Sequence, residues 1–150
     1  MLTNQKLSEG ITICDVFAPI SQAAATVTTP NWIAVGTYDR FLALIETGVM
    51  QASSTVDAKI RQATSSGGAG AKDVTGKAIA QVQQAASGSG TVSAINFSSG
   101  DLDAANGFNY VQVSITVGTA ATLLAAKLIG LPSYETADQF NAAAVLQIVG

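Results

Sequence analysis

Asp101 and Asp103 stand two residues apart in a turn flanked by Gly100 and by Asn106–Gly107. Two carboxylates at that spacing can ligate calcium, but the segment lacks the ladder of oxygen ligands and the distal glutamate of a helix–loop–helix site. Acids so placed are more often turn formers. The glycine-rich stretches invite a phosphate reading: GGAGAKD at 67–73 and TGKA at 75–78 look like pieces of a phosphate loop. That loop needs glycine, four residues, then Gly-Lys-Ser/Thr. Ala71 stands where the first glycine belongs, and Ala78 replaces the hydroxyl that would hold magnesium. GSG at 88–90 lacks the third glycine of a dinucleotide fingerprint. Asn96-Phe97-Ser98 matches a glycosylation sequon inside a segment that reads as a strand.

The chain has no histidine. The commonest general base, the commonest metal ligand and every Ser-His or Cys-His nucleophile pair are therefore missing. The single cysteine, Cys14, lies among apolar residues and reads as a small buried hydrophobe. These residues predict a protein that is not an enzyme, with no cofactor and no metal.

Composition narrows the reading further. Hydrophobic residues make up 48% of the 150 positions, but charged residues only 11%, against about 25% in ordinary soluble domains. A surface filled by Ser, Thr, Asn, Gln, Ala and Gly suits a protein covered by neighbours, because free monomers use charge to keep apart. The net charge is −3, and the seven basic residues are scattered. Nucleic-acid binding needs them clustered. No apolar run approaches the ~20 residues of a membrane span, and residues 1–10 carry no apolar core of a secretory signal. The expectation is one soluble domain made in the cytosol, bound to neither nucleic acid nor membrane.

The elements that must position these residues are read from periodicity. Val56, Ala58 and Ile60 alternate with Asp57, Lys59 and Arg61, and Val111, Val113, Ile115 and Val117 alternate with Gln112, Ser114 and Thr116. Period two marks half-buried strands, with the second set of partners expected on the wet side. Residues 31–50 form a continuous apolar run in which Tyr38, Arg40, Leu42 and Leu44 face one way and Phe41, Ala43 and Ile45 the other, with Trp32 in the core and Gly48 as a turn. Such a run predicts a strand buried on both faces. Further strands are expected at 92–97 and 123–131, and one at 73–84, where a helical stripe is the alternative. TSSGGAGA at 64–71 and SGSG at 87–90 are loops.

At the start, residues 1–30 are expected as an extended N-terminal arm, with a short strand beginning at Ile11 that Pro19 ends, and residues 31–150 as the domain proper. At the end, Thr136 and Gln139 fit a capping box for a short helix at 137–144. The predicted fold is all-β: a β-sandwich or jelly-roll-like single domain.

TVDAKIRQATSSGGAGAKDVTGKAIAQV, then a short β segment, then DLDAANGFNYVQVSITVGTAATLLAAKLIG resembles small virion proteins of tailed bacteriophages. The resemblance rests on a strand of the form V-D-A-K-I-x-Q-A, an Asp-containing loop, the alternating strand at Tyr110 to Val117 and the apolar strand after it, and it covers residues 32–134. It implies a head decoration (cement) protein on the capsid exterior, synthesised in the bacterial host's cytoplasm, with the major capsid protein and copies of itself as partners. Another virion part (tail tube, connector or head fibre) and a carbohydrate-binding β-sandwich are the alternatives.

Subunit contacts are expected from the apolar positions near the two ends: Ile11, Ile13, Val16, Phe17 and Ile20, and Val145, Leu146, Ile148 and Val149. Exposed apolar area of that kind is unfavourable in a free monomer.

Overall fold

A computed structural model describes residues 6–133 and 146–147. The expected helix at 137–144, and Val145, Ile148 and Val149, lie outside the described residues. A four-residue helix, α1 (Leu7–Gly10), precedes β1 (Thr12–Gln22), β2 (Ala25–Thr28), β3 (Ile33–Ala34), β4 (Tyr38–Met50) and β5 (Thr55–Ala63). Then come β6 (Lys72–Ala78), β7 (Val82–Gln83), β8 (Val92–Ser98), β9 (Tyr110–Gly118) and β10 (Thr122–Pro132).

Two antiparallel sheets result, one in the order β1-β10-β4-β8 and the other β2-β9-β5-β6. The short β3 pairs with β9 beyond the end of β2, and β7 pairs with β5 beyond the end of β6. The pairings β1–β10, β2–β9, β4–β8 and β5–β6 are nested like those of one long hairpin wound around a barrel axis. That nesting is the jelly roll, and the all-β sandwich expected from periodicity is what forms.

The core lies between the sheets. Ile45 and Leu128 from one sheet meet Ile60, Val56, Val113 and Ile115 from the other, each nearly or fully inaccessible to solvent. At one end Phe41 stacks on Phe97 with ring centroids 5.0 Å apart, and Tyr38 leans on Phe41 at 5.2 Å. Gly130, directly opposite Phe41, leaves the space these rings need: a Cβ there would lie 2.5 Å from the Tyr38 ring and 2.8 Å from Cys14 Sγ.

Several expectations are corrected by this architecture. Residues 12–28 are not a free arm, because β1 and β2 form an edge of each sheet. Pro19 does not end β1. The ladder is interrupted between Phe17 and Ile20, and a bulge tolerates a residue with no N–H to give. Gly48 is likewise no turn. Gly48 and Val49 together oppose Leu123, and a Cβ on Gly48 would come within 2.9 Å of the Leu123 Cβ. The run at 31–50 is two strands in different sheets, separated by a turn closed by Tyr38 N–H donating to the Val35 carbonyl at 3.1 Å. Residues 73–84 do form strand, in two pieces.

The face of β9 expected to be wet is covered instead. Gln112 and Ser114 are buried. Gln112 donates to the Thr29 carbonyl at 2.7 Å, and Thr29 bonds Val113 through both its main chain and its hydroxyl. These bonds fix the kink where the chain leaves β2.

Asp15 fixes the same kink from the other sheet. Its carboxylate is 5% exposed and accepts the Asn31 N–H at 2.8 Å, the Asn31 side-chain amide at 3.0 Å and the Val16 N–H at 3.0 Å. Asp15→Ala is expected to lower the unfolding free energy by about 1–3 kcal/mol, since it removes a charged acceptor from three part-buried hydrogen bonds. Asp15→Asn, which keeps one acceptor, is expected to cost less. Urea midpoints of the two variants check the order, and equal losses would contradict it.

Candidate interaction surface

In an antiparallel pair, directly opposed residues project to the same side. The register of the β1-β10-β4-β8 sheet therefore maps its outer face. Ile13 opposes Ile129, which opposes Leu42. Val16 opposes Lys127, which opposes Leu44, which opposes Ala94. Ala125 opposes Glu46, which opposes Val92. The face is largely aliphatic, with Asn96 beside Leu42 and the row Leu131, Arg40 and Ser98 adding polar groups at one end, and its central charges, Lys127 and Glu46, are bonded to each other. No third layer of strand or helix among the described residues lies over it.

The face continues into the bulges at one end. Pro19, Ile20, Gly48 and Leu123 line an open depression of about 420 Å³. Ile20 is 51% exposed, Leu123 44% and Val49 66%. Glycine at 48 lets Leu123 lie flat against the bulged strand, which shapes this hollow.

The outer face of the other sheet is of opposite character. Asp57, Lys59 and Arg61 project from β5, Thr116 from β9 and Thr26 from β2, with the two threonine hydroxyls bonded at 2.9 Å. Lys59 and Arg61 both reach Asp73. The molecule thus has one greasy face and one polar face.

The terminal residues expected at contacts are distributed between these environments. Ile13 and Val16 lie on the aliphatic face. Phe17 opposes Ala126 and packs against the core, Ile20 borders the depression, and Ile11 is half-buried just before β1. Leu146 is fully exposed. The residues at the centre of the face, Leu42, Leu44, Ala125 and Ile129, were not expected there. Their signal in the sequence is that β4 and β10 are apolar at successive positions, not alternate ones.

The candidate chemical groups are held in structural roles. Ser65 Oγ accepts the N–H groups of Gly67 and Ala69, and the Ser65 carbonyl accepts that of Gly68, so the glycine loop turns its donors on itself. Trp32 is not core. Its indole lies over Gly68, where φ is +80° and a Cβ would come within 2.5 Å of Nε1. Asp103 is bonded by Lys72 and Asn106, which hold its carboxyl below the usual range, and the same Lys72 sits over the Phe108 ring. Asp101 is lowered by the Ser98 N–H it accepts and by Lys77. Among the described residues no three His, Cys, Asp or Glu side chains gather as a metal site, and no helix is long and apolar enough to cross a membrane.

Burial pushes the Cys14 thiol up to about 11, and its Sγ donates to the Thr12 carbonyl at 3.7 Å. The thiolate is the reactive form. At pH 8 the folded protein is therefore expected to react with a disulfide reagent on the order of 100-fold more slowly than an unhindered cysteine. Denaturant is expected to restore the ordinary rate. A fast native reaction would show the thiol to be open.

No protein-family model matches the chain, and no curated protein matches it.

Proposed function

We propose that this protein is a structural subunit that packs into a larger protein shell, acting as a decoration protein on the exterior of a bacteriophage capsid. The observation that carries this reading is the aliphatic outer face of the β1-β10-β4-β8 sheet. A face of that size and composition is unfavourable in water and favours coverage by another protein surface.

Jelly rolls serve as viral shell, lectin and cupin domains, and the fold alone does not choose among them. The side chains do. A cupin-type metal centre relies on histidine, of which this chain has none. A glycan site relies on aromatic rings free to stack, and the one tryptophan is laid over Gly68. Nucleic acid would require clustered unpaired cations; five of the seven basic residues, Lys59, Arg61, Lys72, Lys77 and Lys127, are in ion pairs, and Lys6 and Arg40 are too few to make a patch. A weakly charged subunit with one aliphatic face suits assembly, where many modest contacts add by avidity. The partners are then the major capsid protein and further copies of this chain.

Quantitative mass spectrometry and cryo-microscopy of purified heads test the reading. The expected result is density for this chain on the outer shell at a copy number that follows the capsid lattice. A copy number of one or a few rings would move the assignment to a tail tube or connector. Absence from purified particles would remove it.

A further inference from the structure

The aliphatic face has a charge pattern that fits itself. We infer that its occupant is a second copy of this chain, packed sheet to sheet about a twofold axis lying in the interface. The inference deepens the proposed function, on which it rests for the idea that this face is covered.

Area is the first argument. The face is four strands wide and runs along β10 from Leu123 to Leu131. At ordinary strand spacing and rise this is roughly 20 Å by 30 Å, or about 600 Å² per copy. Crossed steeply, the two faces overlap over only about 400 Å² each and remove roughly 800 Å² together, in the range of weak, reversible association. The depression beside Ile20 and Leu123 extends the surface at one end.

Charge is the second. Lys127 opposes Leu44, and one step along the strands Ala125 opposes Glu46. These four positions form a quadrilateral at the centre of the sheet, with the lysine and the glutamate on one diagonal. An in-plane twofold along the other diagonal, Ala125 to Leu44, brings each Lys127 over the partner's Glu46. The same operation sets Leu44 against its own copy. Strands of the two sheets then cross steeply, one of the two ways in which sheets pack face to face. The interface is isologous, as the commonest oligomers are. The opposite sheet, with Asp57, Lys59, Arg61 and Asp73 on its surface, offers no such dry match.

The test uses the purified full-length chain without particles. Light scattering and sedimentation are expected to give twice the chain mass at micromolar concentration. Leu44→Asp, which buries an unpaired charge at the axis, is expected to raise the dissociation constant on the order of 100-fold while circular dichroism stays native. Leu44→Cys in a Cys14→Ala background is expected to cross-link copy to copy on mild oxidation, and Thr116→Cys on the polar face is not. The cross-link reads the geometry even where the aspartate variant fails to fold. A monomeric wild type would overturn the inference. So would a folded Leu44→Asp dimer, or cross-linking through Thr116→Cys alone. Particle occupancy is read separately. A dimer absent from particles removes the capsid role and leaves this inference standing, and a monomer bound to particles does the reverse.

Discussion

Phe41→Ala is expected to lower the unfolding free energy by about 3–5 kcal/mol, the range for removing a buried aromatic from a packed core. Phe41 is 3% exposed. It stacks on Phe97 at 5.0 Å with the planes 8° apart and holds the tilted Tyr38 ring. Its loss also uncovers Gly130 across the ladder, which has no side chain of its own to fill the space. Covering a strand glycine with a neighbouring ring is a recognised way of sealing a sheet. The collapse that would close the hole is resisted because Tyr38 is itself tied to Cys14 by a side-chain hydrogen bond. Urea unfolding followed by circular dichroism measures the loss, and a value near 1 kcal/mol would show that the end of the sandwich repacks freely. Phe97→Leu, which retains apolar volume in contact with Phe41, is expected to be milder.

How much of this was legible in the residues depends on how many faces of each strand are wet. β5 is readable because Asp57, Lys59 and Arg61 mark its outer side between Val56, Ala58 and Ile60. The loop at 64–71 is readable because Gly68 and Gly70 take positive φ, a conformation that glycine adopts without strain. Pro19 and Gly48 mislead for a common reason. Each is a residue that breaks a regular ladder, and each sits at an irregularity where the ladder is already broken. Gln112 and Ser114 mislead because a polar side chain can be buried when it is bonded, as Gln112 is to the Thr29 carbonyl. Strand order was out of reach. Alternation states which side of a strand is dry and says nothing about which strand lies next to it. The nesting of β1 with β10 and β2 with β9 is a property of pairs 86 and more residues apart.

The candidate surface was half legible. Apolar residues at successive positions in β4 and β10 state that both sides of these strands avoid water. The β2-β9-β5-β6 sheet answers for one side only. The other side has no covering layer among the described residues, so a sequence signal for burial and an uncovered surface point to the same residues. The terminal segments drew attention because exposed apolar ends are conspicuous. The middle of the face did not, because its residues look like core.

Two neighbouring residues of β4 separate these roles. Ile45 is 1% exposed and faces the other sheet. Ile45→Ala is expected to cost about 2–5 kcal/mol of unfolding free energy, from lost transfer energy and the cavity left behind. The loss should be the same at every protein concentration in the fully monomeric range. Leu44 points the opposite way, opposed by Lys127 and Ala94. Leu44→Ala is expected to change the stability of the isolated subunit by only about 1 kcal/mol, because its neighbours already leave it half-covered in the free chain. Its effect should appear where copies meet, as a stability that depends less on protein concentration than that of the wild type. Denaturation midpoints measured over a hundredfold range of concentration distinguish the two. If Leu44→Ala destabilises as much as Ile45→Ala in dilute protein, then the outer face is supported from within the subunit and needs no partner. If the dilute protein tolerates it and only the concentrated protein loses stability, the two sides of one strand are doing different jobs: one holds the sandwich together and the other joins it to a neighbour.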